Sequence, residues 1–496
     1  VKLPVHVETL IVGAGFAGIG LAARMMSDDP TADLVLIERA SDVGGTWREN
    51  TYPGCACDVP TALYSYSFAP SANWSHTYAR QPEIYAYLKS VAARSGVDRK
   101  VVFDCELSSA RWDDQRALWQ IETTAGALTA AVLVAATGAL STPRIPDFPG
   151  VESFSGNMFH SATWNHEHSL AGENVAVVGT GASAVQFVPE IVDTASRVTV
   201  FQRTPAWVLP RIGHDLAARR QRLYARVPAT QKAMRALTYG SREILGAAMT
   251  RVPRMLPAFE AVAKLHLRRQ VKDHALRMQL TPDFTIGCKR VLLSNDWLRT
   301  LDRPDVGLVD SGLVSITPTG VVDGNGTEHS VDTIIFATGF TPAEPPVAHL
   351  IIGGSGETLA AHWNGSPAAY KGTTVSGFPN LFLMYGPNTN LGHSSIVYML
   401  ESQAEYINDA LGTMRREGLN VLDVREPVQE RYNREIQKEL QHTVWNEGGC
   451  SSWYLDSKGR NSLQWPTFTW KFRAQLRRFD RENYSTRRKA ADAVGR

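Results

Sequence analysis

Thr9-Leu10-Ile11-Val12-Gly13-Ala14-Gly15-Phe16-Ala17-Gly18, running into Ile19-Gly20-Leu21-Ala22-Ala23-Arg24-Met25-Met26, is the stretch that decides the fold. β-rich residues enter a glycine turn and the turn opens a helical segment, the order of a first βα unit in a dinucleotide-binding domain. Gly13 permits the tight turn, Gly15 lets a pyrophosphate approach the backbone, and Gly18 lets helix and strand pack closely. The helix N-terminus then turns its partial positive charge toward phosphate. A glycine pattern alone is weak evidence. Here the next short strand, residues 34–37, ends on Glu38, 25 residues after Gly13, where a carboxylate accepts both hydroxyls of an unphosphorylated adenosine ribose.

A second unit of the same design starts at Asn174: a strand over 175–178, the turn Gly179-x-Gly181-x-x-Ala184, a helix over 185–192 and a strand over 198–201. Alanine is an allowed third residue of the fingerprint. Where the first unit has Glu38, this one has Gln202-Arg203-Thr204, and Arg203 suits a ribose 2′-phosphate. The first site is therefore expected to hold an unphosphorylated adenosine ribose and the second NADP. Two short strands, 132–135 and 333–336, end alike in Ala-Thr-Gly, at Ala136-Thr137-Gly138 and Ala337-Thr338-Gly339. The stretches Ser141-Thr142-Pro143 and Thr341-Pro342 that follow read as domain crossings. The fold class is α/β: two Rossmann-like dinucleotide-binding domains with a helical insertion. The first nucleotide domain is placed at 1–148 and 342–496, the NADP domain at 149–213 and 282–341, and the insertion at 214–281.

Composition bounds the rest. Hydrophobic residues make 44 % and charged residues 20 % of 496, which excludes disordered and collagen-like classes. A net charge of +2 implies no polyanionic partner such as nucleic acid. Five cysteines, an odd and low count without paired spacing, argue against a zinc site and a disulfide framework and for a reducing, cytoplasmic compartment. No run of 18 apolar residues offers a transmembrane helix, and the N-terminus lacks signal-peptide features. Residues 215–280 carry 14 Lys and Arg against 4 Asp and Glu. That basic helical segment is a solvated face, or a surface for anionic membrane or cofactor phosphate. The charged end from Arg477 is expected to fray.

Further residues carry a family resemblance. Between the two units stands Phe154-x-Gly156-x-x-x-His160-x-x-x-Trp164-Asn165. It resembles the F-x-G-x-x-x-H-x-x-x-W-[P/D] string of the FAD- and NADPH-dependent Baeyer–Villiger monooxygenases, departing only at Asn165. Gly44-Gly45-Thr46-Trp47, Tyr52-Pro53-Gly54-x-x-x-Asp58 and Gly287-Cys288-Lys289-Arg290 extend the match. The resemblance implies that NADPH reduces the flavin, that O₂ adds at flavin C4a, and that this peroxide attacks a ketone to give an ester or lactone.

It further implies that Arg290 is the active cation, that Asp58 orients it, and that Lys289 helps Arg203 and Thr204 hold the 2′-phosphate. Glu38, Thr46, Trp47, Asp58, Tyr64 and, loosely, Leu107 match FAD-contacting positions. Ser394 and Ser395 are placed near the substrate, with Trp453 and Trp465 closing over it, a core reading being equally open. The alternative, a flavin monooxygenase oxidising sulfides or amines, has Tyr or Phe in place of Trp164. A flavin disulfide reductase needs a redox cysteine pair, and Cys55-x-Cys57 has the wrong spacing for one. A non-catalytic nucleotide binder leaves the charged pair Lys289-Arg290 without purpose.

Overall fold

A computed structural model describes residues 2–140, 142–341, 345–450 and 452–488. Ser141 and Pro342, named above as parts of domain crossings, lie outside it, as do residues 489–496 of the charged end. Two separate sheets carry the two nucleotide units. The first is ordered Ile351–Ile352, Leu107–Asp113, Leu118–Thr123, Gly126–Ala135, His6–Val12, Leu34–Ile37, Val101–Val102, with Leu381–Leu383 added beside Gly126–Ala135. Its centre is parallel, and a β-meander closes one side. The second sheet is parallel throughout: Val306–Val309, Arg197–Phe201, Asn174–Val178, Thr333–Phe336, Asn157–His160. Its middle strands read as apolar runs because both faces are covered, one by the helix Ala182–Ile191 and the other by the strands Leu313–Thr317 and Gly320–Asp323.

The two Ala-Thr-Gly strand ends do the same work. Val12 pairs with Ala135, and Val178 with Phe336, so each glycine turn leaves its sheet directly beside one of them. Gly13 stands at φ +105°, where an added Cβ would lie 2.7 Å from the Ala136 carbonyl oxygen. Gly179, at φ +110°, would meet the Ala337 carbonyl at 2.6 Å. Any larger residue at either position would clash with backbone that cannot yield. Gly18 allows the closest helix approach of all, since its Cβ would fall 2.0 Å from the Gly13 carbonyl. Ala184 keeps a methyl at the matching place, fully buried.

The link string is an edge strand and a corner. Gly156 lies under the Phe154 ring and against the Asp332 carbonyl, leaving no room for a side chain. His160 ends the strand Asn157–His160, its Nδ1 accepting the Ala162 N–H at 3.0 Å. Trp164 packs its ring edge to face on Phe159 and tilted on Phe187, each 5.2 Å between centroids, and Phe187 meets Tyr52 at 6.2 Å. An aromatic chain thus runs from the link, through the helix Ala182–Ile191, to the first domain. The departure at Asn165 leaves the corner intact. Its side-chain oxygen accepts the Glu167 N–H at 3.1 Å, a turn bond that an aspartate would also make.

Residues 215–280 are helical, as Ala218–Arg226, Pro228–Thr250, Leu256–Gln270 and His274–Gln279. Arg235 ties this insertion to the first domain by donating to the carbonyls of Ala62 and Ser65. Two expectations are overturned. The chain end does not fray up to Arg488: Tyr484–Arg488 pairs antiparallel with Leu419–Val424. Tyr484 is its anchor, buried with its hydroxyl against Thr374 and Tyr406. The cysteines do not all stay free either, because Cys288 and Cys450 form a disulfide. Their 162-residue separation hides the pair from spacing, and tertiary contact creates it: the Thr285 N–H donates to the Gly448 carbonyl at 3.0 Å.

Two predictions follow from burial and pairing. Protein denatured without reductant should titrate three thiols, Cys55, Cys57 and Cys105, and five after reduction; five at the outset would rule out the disulfide. Burial pushes the imidazoles of His160 and His393 down to about 4, so both are neutral in the folded protein. Unfolded histidine takes up its proton near pH 6.5, and stability should therefore be lost as pH falls from there toward 4. His160→Gln should flatten the decline of Tm across that window; an unchanged slope would show that the ring is charged in the fold.

Candidate active site

Both glycine units are open to ligand. In the first, the Gly15 and Gly45 backbones face each other, a Cβ on Gly45 falling 3.1 Å from the Gly15 Cα. The Gly44 N–H donates to the Ala14 carbonyl at 2.9 Å, which fixes the Gly-Gly-Thr-Trp loop onto the turn. The Glu38 carboxylate accepts the N–H of Ala14 at 2.8 Å and of Ala40 at 3.1 Å. It is thereby anchored at the strand end with lone pairs left for a ribose. Thr46 starts the helical turn Thr46–Glu49. Trp47 donates its indole N–H to the Tyr64 hydroxyl at 2.9 Å, and Tyr64 packs on Phe16 of the fingerprint. Burial pushes the Tyr64 phenol up, so it stays protonated. Leu107 is not gathered into this cradle; it is buried in the apolar core on one side of the first sheet.

In the second unit, Gly181 ends the turn and begins the helix Ala182–Ile191. The Thr180 hydroxyl reaches the Thr204 carbonyl at 3.5 Å, drawing the strand end toward the turn. Arg203 is exposed, and Lys289 lies over the Phe284 ring. Burial, then the nearby Arg203 guanidinium, lowers the Lys289 pKa. Two cations held close against their mutual repulsion form a site that a phosphate dianion relieves. The residues present thus fit both cofactors: a bare-backbone turn with a ribose acceptor in one domain, and the same turn with paired cations in the other.

Arg290 and Asp58 meet between the domains, 232 residues apart in sequence, with Nη2 to Oδ2 at 3.0 Å. A two-stranded ladder, Val208–Leu209 with Leu292–Leu293, sets the geometry. Arg290 precedes one strand and Arg211 follows the other, and both reach the same loop; Arg211 donates to the Cys57 carbonyl at 3.2 Å. Partial desolvation opposes the Arg290 charge, but the Asp58 carboxylate, with Tyr454 and Cys57 beside it, outweighs that and holds the guanidinium protonated. The Asp58 side chain is 12 % exposed and that of Arg290 46 %, so the carboxylate is the fixed member and the cation faces the opening. Tyr64, Tyr385 and Tyr454 also stand close enough for their phenol pKa values to respond to Arg290.

The sequence left out one member of this cluster. Gln186, on the helix of the second fingerprint, accepts from the Ala56 N–H and the Tyr52 hydroxyl, both at 3.1 Å. It donates to the Ala56 carbonyl at 3.0 Å and to Asp58 Oδ1 at 3.4 Å. An amide between the buried Val185 and Phe187 was the available signal.

Other expectations place differently. Ser395 is fully buried and caps the helix Ile396–Glu417 through the Val397 N–H. Ser394 is also buried, its hydroxyl without a partner. Trp465 is core, its indole donating to the Phe468 carbonyl at 3.0 Å, and does not close over the site; Trp453 is 40 % exposed. Cys55 and Cys57 are free, with thiols that burial pushes up to about 12, so neither serves as a redox thiolate.

Comparison with known proteins agrees with this construction. Residues 10–218 match the family model "Pyridine nucleotide-disulphide oxidoreductase". A Baeyer–Villiger monooxygenase of Streptomyces coelicolor is 46 % identical over 491 residues, covering 99 % of this chain and 94 % of that protein. Among solved structures, an oxidized steroid monooxygenase bound to NADP superposes with a TM-score of 0.84 at 28 % identity, over 98 % of this chain and all of the other. OTEMO in complex with FAD and NADP gives 0.86 at 25 % identity, over 97 % and 99 %. With two fingerprints, the link string and an inter-domain Asp–Arg pair on one framework, and a relative this similar along its whole length, the chain belongs to the Baeyer–Villiger monooxygenases, flavoenzymes that use FAD and NADPH.

Proposed function

We propose that the substrate is a ketone, that one atom of O₂ is inserted beside its carbonyl to give an ester or lactone, and that Arg290 and Asp58 carry the protein's part of the reaction. FAD reduced by NADPH supplies the activated oxygen when both are bound. The observation that carries this reading is the Arg290–Asp58 pair at the domain boundary. Arg290 keeps a fixed positive charge at the opening. That charge favours the deprotonated form of an oxygen nucleophile and stabilises the negative charge that develops on the ketone oxygen. Asp58, held by Gln186, sets the direction of the guanidinium. Arg203 and Lys289 bind the 2′-phosphate, and Thr204 lies beside them.

The domain division 1–148 with 342–496, 149–213 with 282–341 and an insertion at 214–281 is part of the same proposal. It is supported by the way the two sheets draw on separated stretches of chain. Among the described residues no helix is long and apolar enough to cross a membrane. We place the enzyme in the cytoplasm, where NADPH is regenerated; Cys288, almost fully buried, is shielded there from reductant.

Arg290→Ala should still let NADPH bleach the flavin in stopped flow, while ester formation after mixing with O₂ falls by about 10²–10³. Normal ester yield in that variant would remove the central residue, and blocked reduction would reassign Arg290 to NADPH binding. Arg203→Ala should lose roughly ten- to a hundred-fold of the preference for NADPH over NADH, the worth of one charge-assisted contact. Unaltered discrimination, read as the ratio of kcat/KM for the two coenzymes, would mean that another group reads the phosphate.

A further inference from the structure

None of the chemistry above uses the outer face of the helical insertion. Large apolar side chains are exposed at 18 described positions, and 11 of these fall between Ile212 and Met278, a stretch of about one-seventh of the chain. A helix that only shields a core has no need of them. On Pro228–Thr250, Met234, Leu237 and Ile244 lie on one stripe, with Leu237 69 % and Ile244 61 % exposed. Leu256–Gln270 adds Val262 and Leu265, one turn apart. Ile212, Ile244 and Phe259 wall a single open cleft of about 350 Å³, so residues from both helices share this side of the molecule. Pro60, two residues from Asp58, also lines the cleft, which therefore borders the loop that carries Asp58.

The charge of the same elements is one-sided, and the structure makes it more so. Of the four acids in 215–280, Asp215 is exposed, and Glu243 is buried and accepts from Thr469. Glu260 accepts the Ile286 N–H and pairs with Lys264, and Asp273 caps its own helix. Most of the cations stay outside; Arg235 is turned inward against Glu401, and Arg251 and Lys264 pair with Glu439 and Glu260. Arg219, Arg222, Arg226, Lys232, Arg254 and Arg268 are exposed, and among the described residues none has a carboxylate partner.

We propose that this face docks the enzyme peripherally on an anionic lipid bilayer. The apolar stripe enters the headgroup boundary and the flanking Arg and Lys meet lipid phosphate. Charge complementarity selects this occupant. A second copy of the chain would set like charges against each other, and a soluble polyanion would leave Leu237 and Ile244 in water.

The test is co-sedimentation of the FAD-loaded enzyme with vesicles of phosphatidylcholine alone or mixed with phosphatidylglycerol, at low and high salt. Binding should require phosphatidylglycerol and fall with salt. Arg222→Glu with Arg226→Glu should weaken it by about ten-fold or more. Leu237→Ser with Ile244→Ser keeps every charge and should also weaken it, while NADPH oxidation in free solution stays at the parental rate. Parental vesicle binding by the serine variant would reduce the effect to adsorption of charge and overturn the proposal, as would failure of the parent to bind anionic vesicles at low salt. Sedimentation velocity supplies a third outcome: a dimer that dissociates in the serine variant, with no vesicle binding by the parent, would assign the face to a second copy.

Discussion

The Asp58–Arg290 ion pair joins two domains that also meet through the loop 52–58, the link and the Cys288–Cys450 disulfide. Asp58 belongs to the first nucleotide unit, and Arg290 stands just before the short strand Leu292–Leu293. The pair exists only while both domains hold their relative position. Gln186 and Arg211 keep that position from the second domain by bonding to the backbone and side chains of residues 52–58. Gly54 makes the contact possible, since a Cβ there would lie 2.6 Å from the Gln186 carbonyl. The arginine is thus steered by a carboxylate that is itself fixed by the NADP-binding helix.

The two nucleotide units solve one packing problem twice. Each places a strand end against the carbonyl of an Ala-Thr-Gly segment, and each turn survives only because its first residue is glycine at positive φ. They differ in what stands after the second strand. Glu38 is braced by two backbone N–H groups, which suits it to neutral hydroxyls. Arg203 is crowded by Lys289 instead, a repulsion that anion binding relieves. In the proposed function, selectivity between the cofactors rests on this difference in charge within a shared backbone. The disulfide adds a covalent restraint beside the same string, fastening Cys288, two residues before Arg290, to the C-terminal segment that also brings Tyr454 near the guanidinium.

Local order determined what the sequence could reveal by itself. Glycine spacing, strand periodicity and the residue ending each second strand depend on chain neighbours, so the two nucleotide units and the identities of Glu38 and Arg203 were legible. The Phe154–Trp164 string was legible as a resemblance, and Asn165, its one departure, supplies a turn with a side-chain acceptor. What the tertiary structure alone decided are contacts between distant segments: the 232-residue span from Asp58 to Arg290, the Gln186 clamp, and the Cys288–Cys450 bond. Burial had the same dependence. Trp465 and Ser395, for which pocket and core stood equally open by position, are core and helix cap, because segments far from them in the chain exclude solvent. Tyr484 holds a charged chain end in place for the same reason, since its hydroxyl finds Thr374 and Tyr406 only after the chain has folded back on itself.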